Sequence, residues 1–547
     1  MVARTEAIAN ELAESRRRLP EHSDRVPITW EGSQFAWHSL AHVNRELGRA
    51  IVASRKFDLA LVSFEPDEFR PGVTSPYGEL ARHVNRTLSR PAKVHVRHQW
   101  PPRFEPPEHG AWVMIQPWEF GGIPGDWIAP MRDVVDEVWV PSTWLRACYV
   151  QSGISAEKVF VVPNGVDTDF YTPEGPRFQL GTQKGFKFLF VGGTIRRKGI
   201  DTLLDVYTST FTGQDDVCLV IKGFGSDTVY ASSSIHQAVV GLVEKSKTDP
   251  RLPAIEYIDG HLSDEDIASL YRACDALVMP YRGEGFGLPI AEAMASGLPV
   301  IVTGYGAAMD FCDDGTAYLV KAERVPVRID VRPNPLGFWW AEPDRQDLAR
   351  KMRHVFENGI EGKALGGRGR ARIVERFQWS HAYARVEQRL LELSKREPVR
   401  RVPPSAFHAG VKPILLEGRK RVAFFHHPNW ASDSWKRVVT AYVRAFDRRD
   451  DVTLVLALDL RQGFPIATIS KGLGQLLASM GRTDNDTADL FLSPNDNTLE
   501  QIAQLYAAVD WVVPAGDAVQ RLRAKRMNKQ VLEDLSPSAW RAAASGR

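Results

Sequence analysis

Two glutamates eight residues apart, Glu284 and Glu292, fall inside one glycine-rich stretch, Tyr281-Arg282-Gly283-Glu284-Gly285-Phe286-Gly287-Leu288-Pro289-Ile290-Ala291-Glu292. The apolar run Ala276-Leu277-Val278-Met279 ahead of it reads as a buried strand, and the run from Leu288 to Ser296 reads as a helix. The glycines therefore sit at a strand-to-helix junction, where outward-facing N–H groups and the positive end of the helix dipole favour an anion. Glu284 is expected in the loop and Glu292 about one turn into the helix. A carboxylate accepts from two neighbouring hydroxyls at once, so the pattern suits a ligand with an anionic part and a polyhydroxyl part, such as a nucleotide sugar. A second cluster, Arg196-Arg197-Lys198, follows the apolar run ending at Val191 and precedes a helical run. Cations are disfavoured at a helix start unless an anion is bound there.

The glutamate stretch resembles the E-x7-E signature of retaining glycosyltransferases of the GT-B fold, glycosyltransferase family 4. The likeness spans roughly residues 26–395. Val162-Pro163-Asn164-Gly165-Val166-Asp167 resembles the family's P-N-G-V-D segment, where the first domain passes to the second. Phe190-Val191-Gly192-Gly193-Thr194-Ile195-Arg196-Arg197-Lys198-Gly199 resembles its phosphate-contacting strand, loop and helix start. Leu270-Tyr271-Arg272-Ala273-Cys274-Asp275-Ala276 is similar to the lead-in to the glutamate turn.

The resemblance implies roles for particular residues. Lys198, with Arg197 or Arg196, would hold the leaving diphosphate. Many relatives carry an arginine where this chain has Gly193. Glu292 would accept from the ribose hydroxyls, and Glu284 would meet the donor sugar. Gly285, Phe286, Gly287, Leu288 and Gly193 would contribute backbone contacts to the donor. In the first domain, Gly32 would let the diphosphate approach the backbone, and His98 would lie near the donor sugar. Trp118, Glu119 and Trp100, with Trp127, are candidates for an acceptor pocket. The implied reaction retains the anomeric configuration and needs neither a metal nor a cofactor. The implied partners are a nucleotide-sugar donor and a glycan, lipid-linked glycan or polysaccharide acceptor.

Those residues need a scaffold, and the chain of 547 residues is long enough for several domains. Apolar runs alternate with helical patterns throughout, the sign of parallel, doubly wound α/β sheets. We expect a helical extension over 1–25, a Rossmann-like acceptor-side domain over 26–165 and a Rossmann-like donor domain over 176–395. Expected strands include Val26–Trp30, Lys93–Arg97, Lys187–Val191 and Ala276–Met279. A helix over Gln378–Leu393 resembles the family's C-terminal helix, which packs back on the first domain.

Residues 396–420 read as a basic, proline-punctuated linker. Beyond it, 421–515 repeats 186–280 at an offset of 235: Phe190 matches Phe425, Tyr207 matches Tyr442, and Leu270-Tyr271 matches Leu505-Tyr506. This third unit, 421–547, reads as a degenerate Rossmann-like copy. At the same offset Lys198 becomes Asp433, Glu284 becomes Val519 and Glu292 becomes Met527.

Composition narrows the classes. A net charge of +2 argues against a dedicated nucleic-acid binder. The four cysteines are widely spaced, which suggests reduced thiols and a cytoplasmic setting. No apolar stretch approaches membrane-spanning length. The basic linker is compatible with peripheral attachment to the inner face of a membrane. Two other readings use the same scaffold: a non-catalytic carbohydrate-binding protein and a nucleotide-sugar epimerase.

Overall fold

The computed structural model describes residues 24–546, except Pro66, Glu105, Glu108, 224–233, 328–336, 399–409, 429, 431–433, 460–465, 484 and 496–498. Most of the expected N-terminal extension, and the arginines at 400 and 401, lie outside the described residues. Three parallel sheets organise the rest. The first contains β1 (Val26–Gly32), β2 (Phe57–Ser63), β3 (Val94–His98), β4 (Ala111–Ile115), β5 (Glu137–Val140) and β6 (Val159–Val161), in the order β2-β1-β3-β4-β5-β6. The second contains β7 (Phe186–Val191), β8 (Val217–Lys222), β9 (Ala254–Ile258), β10 (Ala276–Met279), β11 (Val300–Thr303) and β12 (Tyr318–Val320), in the order β12-β11-β10-β7-β8-β9. Continuous Val, Ile, Leu and Phe runs build these strands because both faces are covered by helices. β8, for example, is buried at every residue. The strand order reverses between β1 and β3 and again between β7 and β10. In open parallel sheets, ligands bind beside the strand ends at such switch points.

Helix Trp379–Leu393 leaves the second unit and buries Trp379, Ala382, Val386, Leu390 and Leu393 in the core of the first sheet. The packing agrees with the expectation for this helix. Gly165 lies so close to the Trp379 backbone that any side chain would overlap it. All four cysteines are buried free thiols.

The third unit contains β15 (Val422–His426), β16 (Val452–Asp459), β17 (Asp489–Asn495), β18 (Trp511–Val512) and β19 (Gln530–Val531), in the order β17-β16-β15-β18-β19. This is the order of β9-β8-β7-β10-β11. β16 begins at 452 against 217 for β8, β17 at 489 against 254 for β9, and β18 at 511 against 276 for β10, a constant offset of 235. β18 pairs Val512 with Val531 where β10 pairs Leu277 with Val300, so the offset falls to 231. The segment carrying the glutamate turn is four residues shorter in the copy. The ungapped pairing of Glu284 with Val519 and Glu292 with Met527 is therefore corrected: the register shifts between β18 and β19.

The shortened turn has a different occupation. Asp517 lies 3.5 Å from Arg103, on the loop after β3 of the first unit. Although burial opposes it, Arg103 holds the Asp517 carboxyl below its ordinary range. Described cations of the linker region are also engaged within the chain. Arg396 lies near Glu137 and Glu392, Arg419 pairs with Asp510, Lys420 with Asp489 and Arg421 with Asp451. No helix among the described residues is long and apolar enough to cross a membrane.

A feature absent from the sequence expectations is an antiparallel hairpin of β13 (Ala322–Val327) and β14 (Phe338–Pro343). Phe338 enters the cluster of Trp112, Trp118 and Trp127 in the first unit. Gly121 N–H donates to Trp339 O at 2.8 Å, which pins the hairpin to the loop after β4. Gly121 permits this approach because a Cβ there would overlap the Trp339 indole.

Candidate active site

The loop after β7 turns tightly. Gly193 O accepts from Ile195 N–H at 2.8 Å, and Arg196–Lys198 form one turn of 3₁₀ helix ending at Gly199 in the left-handed region (φ 76°). A side chain at Gly199 would overlap the Pro280 carbonyl. This close approach places the basic turn against the glutamate turn after β10. Lys198 Nζ pairs directly with Glu284 Oε1. Arg197 donates from Nη1 to Gly283 O at 2.7 Å and lies 3.9 Å from Glu284 and 3.6 Å from Glu119. Lys198, Arg197, Glu284 and Glu119 are thus brought together. Arg196 points elsewhere, over the Trp340 ring at 5.7 Å and 4.0 Å from Asp201. Arg197 is therefore the cation that accompanies Lys198.

Glu284 is nearly inaccessible, at 6% exposure. The turn is covered by the first unit: a side chain at Gly283 would overlap Glu119 O, and one at Gly285 would touch Pro117 and Trp118. Gly287 (φ 99°) begins the helix Leu288–Ala295 without a side-chain cap; Pro289 has no N–H, and Ile290 and Ala291 donate to Gly287 O, so the helix start offers the Leu288 N–H. Phe286 anchors the turn. Its ring is buried against Phe311 at 5.2 Å and near Phe377, leaving only its backbone for a ligand. Leu288 packs against the cores of both units.

Glu292 accepts from the Tyr271 hydroxyl at 2.9 Å. Part of its side chain remains accessible, but the protein around its carboxyl pushes its pKa up to about 7, with Asp264 adding repulsion. Binding two hydroxyl donors requires the ionised carboxylate, so nucleotide binding is expected to release a proton. Affinity should rise with pH through the region around 7 and fall up to about tenfold per pH unit below it. Titrating UDP or GDP between pH 5.5 and 8.5 by calorimetry checks this, and a flat profile would remove Glu292 from the nucleotide site.

His98 and Gly32 form a second cluster at the ends of β3 and β1. Trp30 Nε1 donates to Asn44 Oδ1 at 2.9 Å, which fixes the amide orientation because an indole nitrogen can only donate. His98 Nδ1 lies 2.8 Å from the same oxygen and therefore carries the proton. Its Nε2 presents a lone pair. Burial lowers the His98 pKa to about 3, with the nearby His38 adding to the effect, so the ring is a neutral acceptor at ordinary pH. Gly32 leaves no room for a Cβ, which would overlap His98 O and meet Asn44 Nδ2. Gly32→Ala is expected to destabilise the protein by about 1–3 kcal/mol. A urea midpoint equal to that of the wild type would contradict this packing.

The aromatic acceptor candidates separate. Trp118 and Trp127 are core residues, at 4% and 0% exposure, and Trp118 Nε1 donates to Gly122 O at 2.7 Å. Trp118 is corrected accordingly: both faces of its ring are packed by protein. Trp100 remains 43% exposed and stacks on Trp118 with centroids 6.0 Å apart.

The sequence reading missed Arg282, a buried hub beside the turn. Its guanidinium donates to both Glu342 oxygens (2.6 and 2.7 Å), Asp201 (2.7 Å), Thr202 Oγ1 (2.9 Å) and Arg196 O (2.5 Å). Its backbone N–H donates to Arg197 O and its carbonyl accepts from Ala341 N–H. One residue thus joins the basic turn, the glutamate turn and β14. An arginine beside a Gly-Glu-Gly turn was the available signal. Among the described residues, no group of three or more His, Cys, Asp or Glu is placed to hold a metal ion.

Residues 185–330 match the family described as Glycosyl transferases group 1. An uncharacterized glycosyltransferase of Methanocaldococcus jannaschii is 27% identical over 237 residues, covering 43% of this chain and 54% of the relative. MMP alpha-(1->4)-mannosyltransferase of Mycolicibacterium hassiacum is 25% identical over 257 residues, covering 47% and 53%. The chain spans about half the length of these curated relatives. Among solved structures, HepE of Anabaena in complex with UDP and glucose superposes with a TM-score of 0.50 at 15% identity, over 67% of this chain and all of that one. Sucrose-phosphate synthase from Thermosynechococcus elongatus does so with a TM-score of 0.50 at 18% identity, over 68% and 99%. The architecture is GT-B with an additional α/β unit.

Proposed function

We propose that this chain, which carries a group 1 glycosyl transferase domain over residues 185–330, transfers a sugar from a nucleoside-diphosphate sugar to a hydroxyl of a glycan, lipid-linked glycan or polysaccharide. The observation that carries the reading is the convergence of Lys198, Arg197 and Glu284 at the switch point between β7 and β10. As the glycosidic bond breaks, negative charge grows on the leaving phosphate. Lys198, Arg197 and the Leu288 N–H at the start of helix Leu288–Ala295 are preorganised to meet it.

In the free protein, Glu284 takes the charge of Lys198. A bound diphosphate competes for that ammonium, freeing the Glu284 carboxylate to face the sugar and stabilise positive charge at the reacting carbon. Glu292 holds the ribose. His98, as a neutral acceptor, takes a sugar hydroxyl. The loop Pro117–Gly121 covers the turn and excludes water, which limits hydrolysis. In this reading the acceptor attacks from the face the diphosphate leaves, so configuration is retained, and the cationic side chains do the work of a metal. The UDP and glucose held by the Anabaena neighbour and the mannosyltransferase relative support a nucleotide-sugar donor. The third unit is a structural support, docked through its shortened turn.

The test is release of nucleoside diphosphate from a panel of UDP- and GDP-sugars, with and without EDTA. Release unaffected by EDTA is expected. A chain that neither binds nor consumes any donor sinks the reading, and loss of release in EDTA sinks its metal-free part.

A further inference from the structure

A pocket of about 590 Å³ opens between the hairpin, the Phe120 loop and the basic turn. This lies within the roughly 300–1,000 Å³ typical of small-molecule sites. Phe120, Arg196, Val325, Val327, Trp340 and Glu342 line it. All three structural parts are needed: Phe120 belongs to the first unit, Arg196 to the loop after β7, and the rest to β13 and β14. Phe120 and Trp340 lie nearly parallel, stacked 18° apart with centroids at 6.3 Å, and contribute aromatic walls. Val325 is paired with Trp340 across the hairpin, so both face the same side.

The charged groups at the rim are disposed for hydroxyls. Both Glu342 oxygens already accept from Arg282, yet a carboxylate retains further lone pairs. The Arg196 side chain is two-thirds exposed, so its guanidinium can reach hydroxyl oxygens. One cation and one neutralised carboxylate suit an uncharged ligand better than a phosphate. Apolar aromatic and valine walls beside hydroxyl-binding groups match a sugar ring, which has an apolar C–H face and a polar edge.

The position specifies which sugar. Each wall adjoins a residue of the donor site: Arg196 precedes Arg197, Phe120 follows Glu119, and Glu342 is bonded to Arg282 beside the glutamate turn. The nucleotide-facing groups lie on another part of the same loops. We propose that this pocket is a subsite for a neutral sugar ring of the acceptor glycan, next to the sugar bearing the reacting hydroxyl. The assignment rests on the transferase reading for the word acceptor, while sugar binding itself does not.

The experiment separates the two. Maltose, cellobiose and α-1,6-mannobiose are titrated into the full chain by calorimetry, with UDP and GDP as reference ligands. Val325→Trp fills the pocket and Phe120→Ala removes one aromatic wall. At least one disaccharide should bind the wild type, and both variants should weaken it by about tenfold or more, a change of about 1.4 kcal/mol. The affinity of Val325→Trp for UDP or GDP should stay within about twofold. Undiminished disaccharide binding by Val325→Trp overturns the assignment, as does failure of all three sugars to bind the wild type at about 10 mM. Disaccharide binding without any nucleotide binding supports the sugar site and instead removes the transferase reading.

Discussion

Replacing Lys198 with alanine is expected to lower turnover by about 10²–10³-fold while leaving the fold intact. Lys198 is partly exposed and reaches Glu284 from a loop turn with no buried residue, so truncation creates no core cavity. The loss falls on the transition state because charge on the leaving phosphate is greatest as the bond breaks. Binding of the free nucleoside diphosphate should weaken less than turnover. Lys198→Arg should recover only part of the rate, since a planar guanidinium differs from an ammonium in reach and geometry. Single-turnover measurements with the donor identified in the panel check this. A rate within about threefold of the wild type for Lys198→Ala would detach the basic turn from the chemistry.

Replacing Arg282 with alanine is expected to cost about 3–5 kcal/mol of stability, because it leaves buried acceptors and a carboxylate without their partner. Its side chain is only 2% exposed and satisfies Glu342, Asp201, Thr202 and the Arg196 carbonyl together. Arg282→Lys should lose nearly as much, since one ammonium cannot reproduce the bidentate geometry to Glu342. Urea unfolding followed by circular dichroism measures the change. The same variants should reduce donor binding, because Arg282 holds the basic and glutamate turns in register. A stability loss below about 1 kcal/mol in both would show that other contacts suffice to fix the loops.

Much of the donor-side site was legible because its residues are close in sequence to strand ends. The strand Ala276–Met279 and the helix from Leu288 carry opposite periodicities, so the turn between them announced itself. Glycines at 287 and 199 are required by left-handed backbone, a local constraint that leaves a mark in the chain. The tryptophans were not resolved in the same way. Trp100 follows β3 and Trp118 follows β4, and only packing separates the exposed ring from the buried one. The repeat was visible as matched apolar positions, but the shortened turn was not, because ungapped matching has no signal where the copies have diverged.

The sequence by itself determined the alternation of strands and helices, the switch-point turns and the residue types available there, since these depend on local periodicity and backbone preference. Tertiary structure alone decided which charges meet. The pairing of Lys198 with Glu284, the raised pKa of Glu292, the neutral tautomer of His98 and the hub at Arg282 all depend on burial and on partners far away in the chain. The same holds for the hairpin reaching the first unit at Gly121 and for Asp517 closing on Arg103. Electrostatic energy follows distance and desolvation, and neither is fixed until the separate units have packed together.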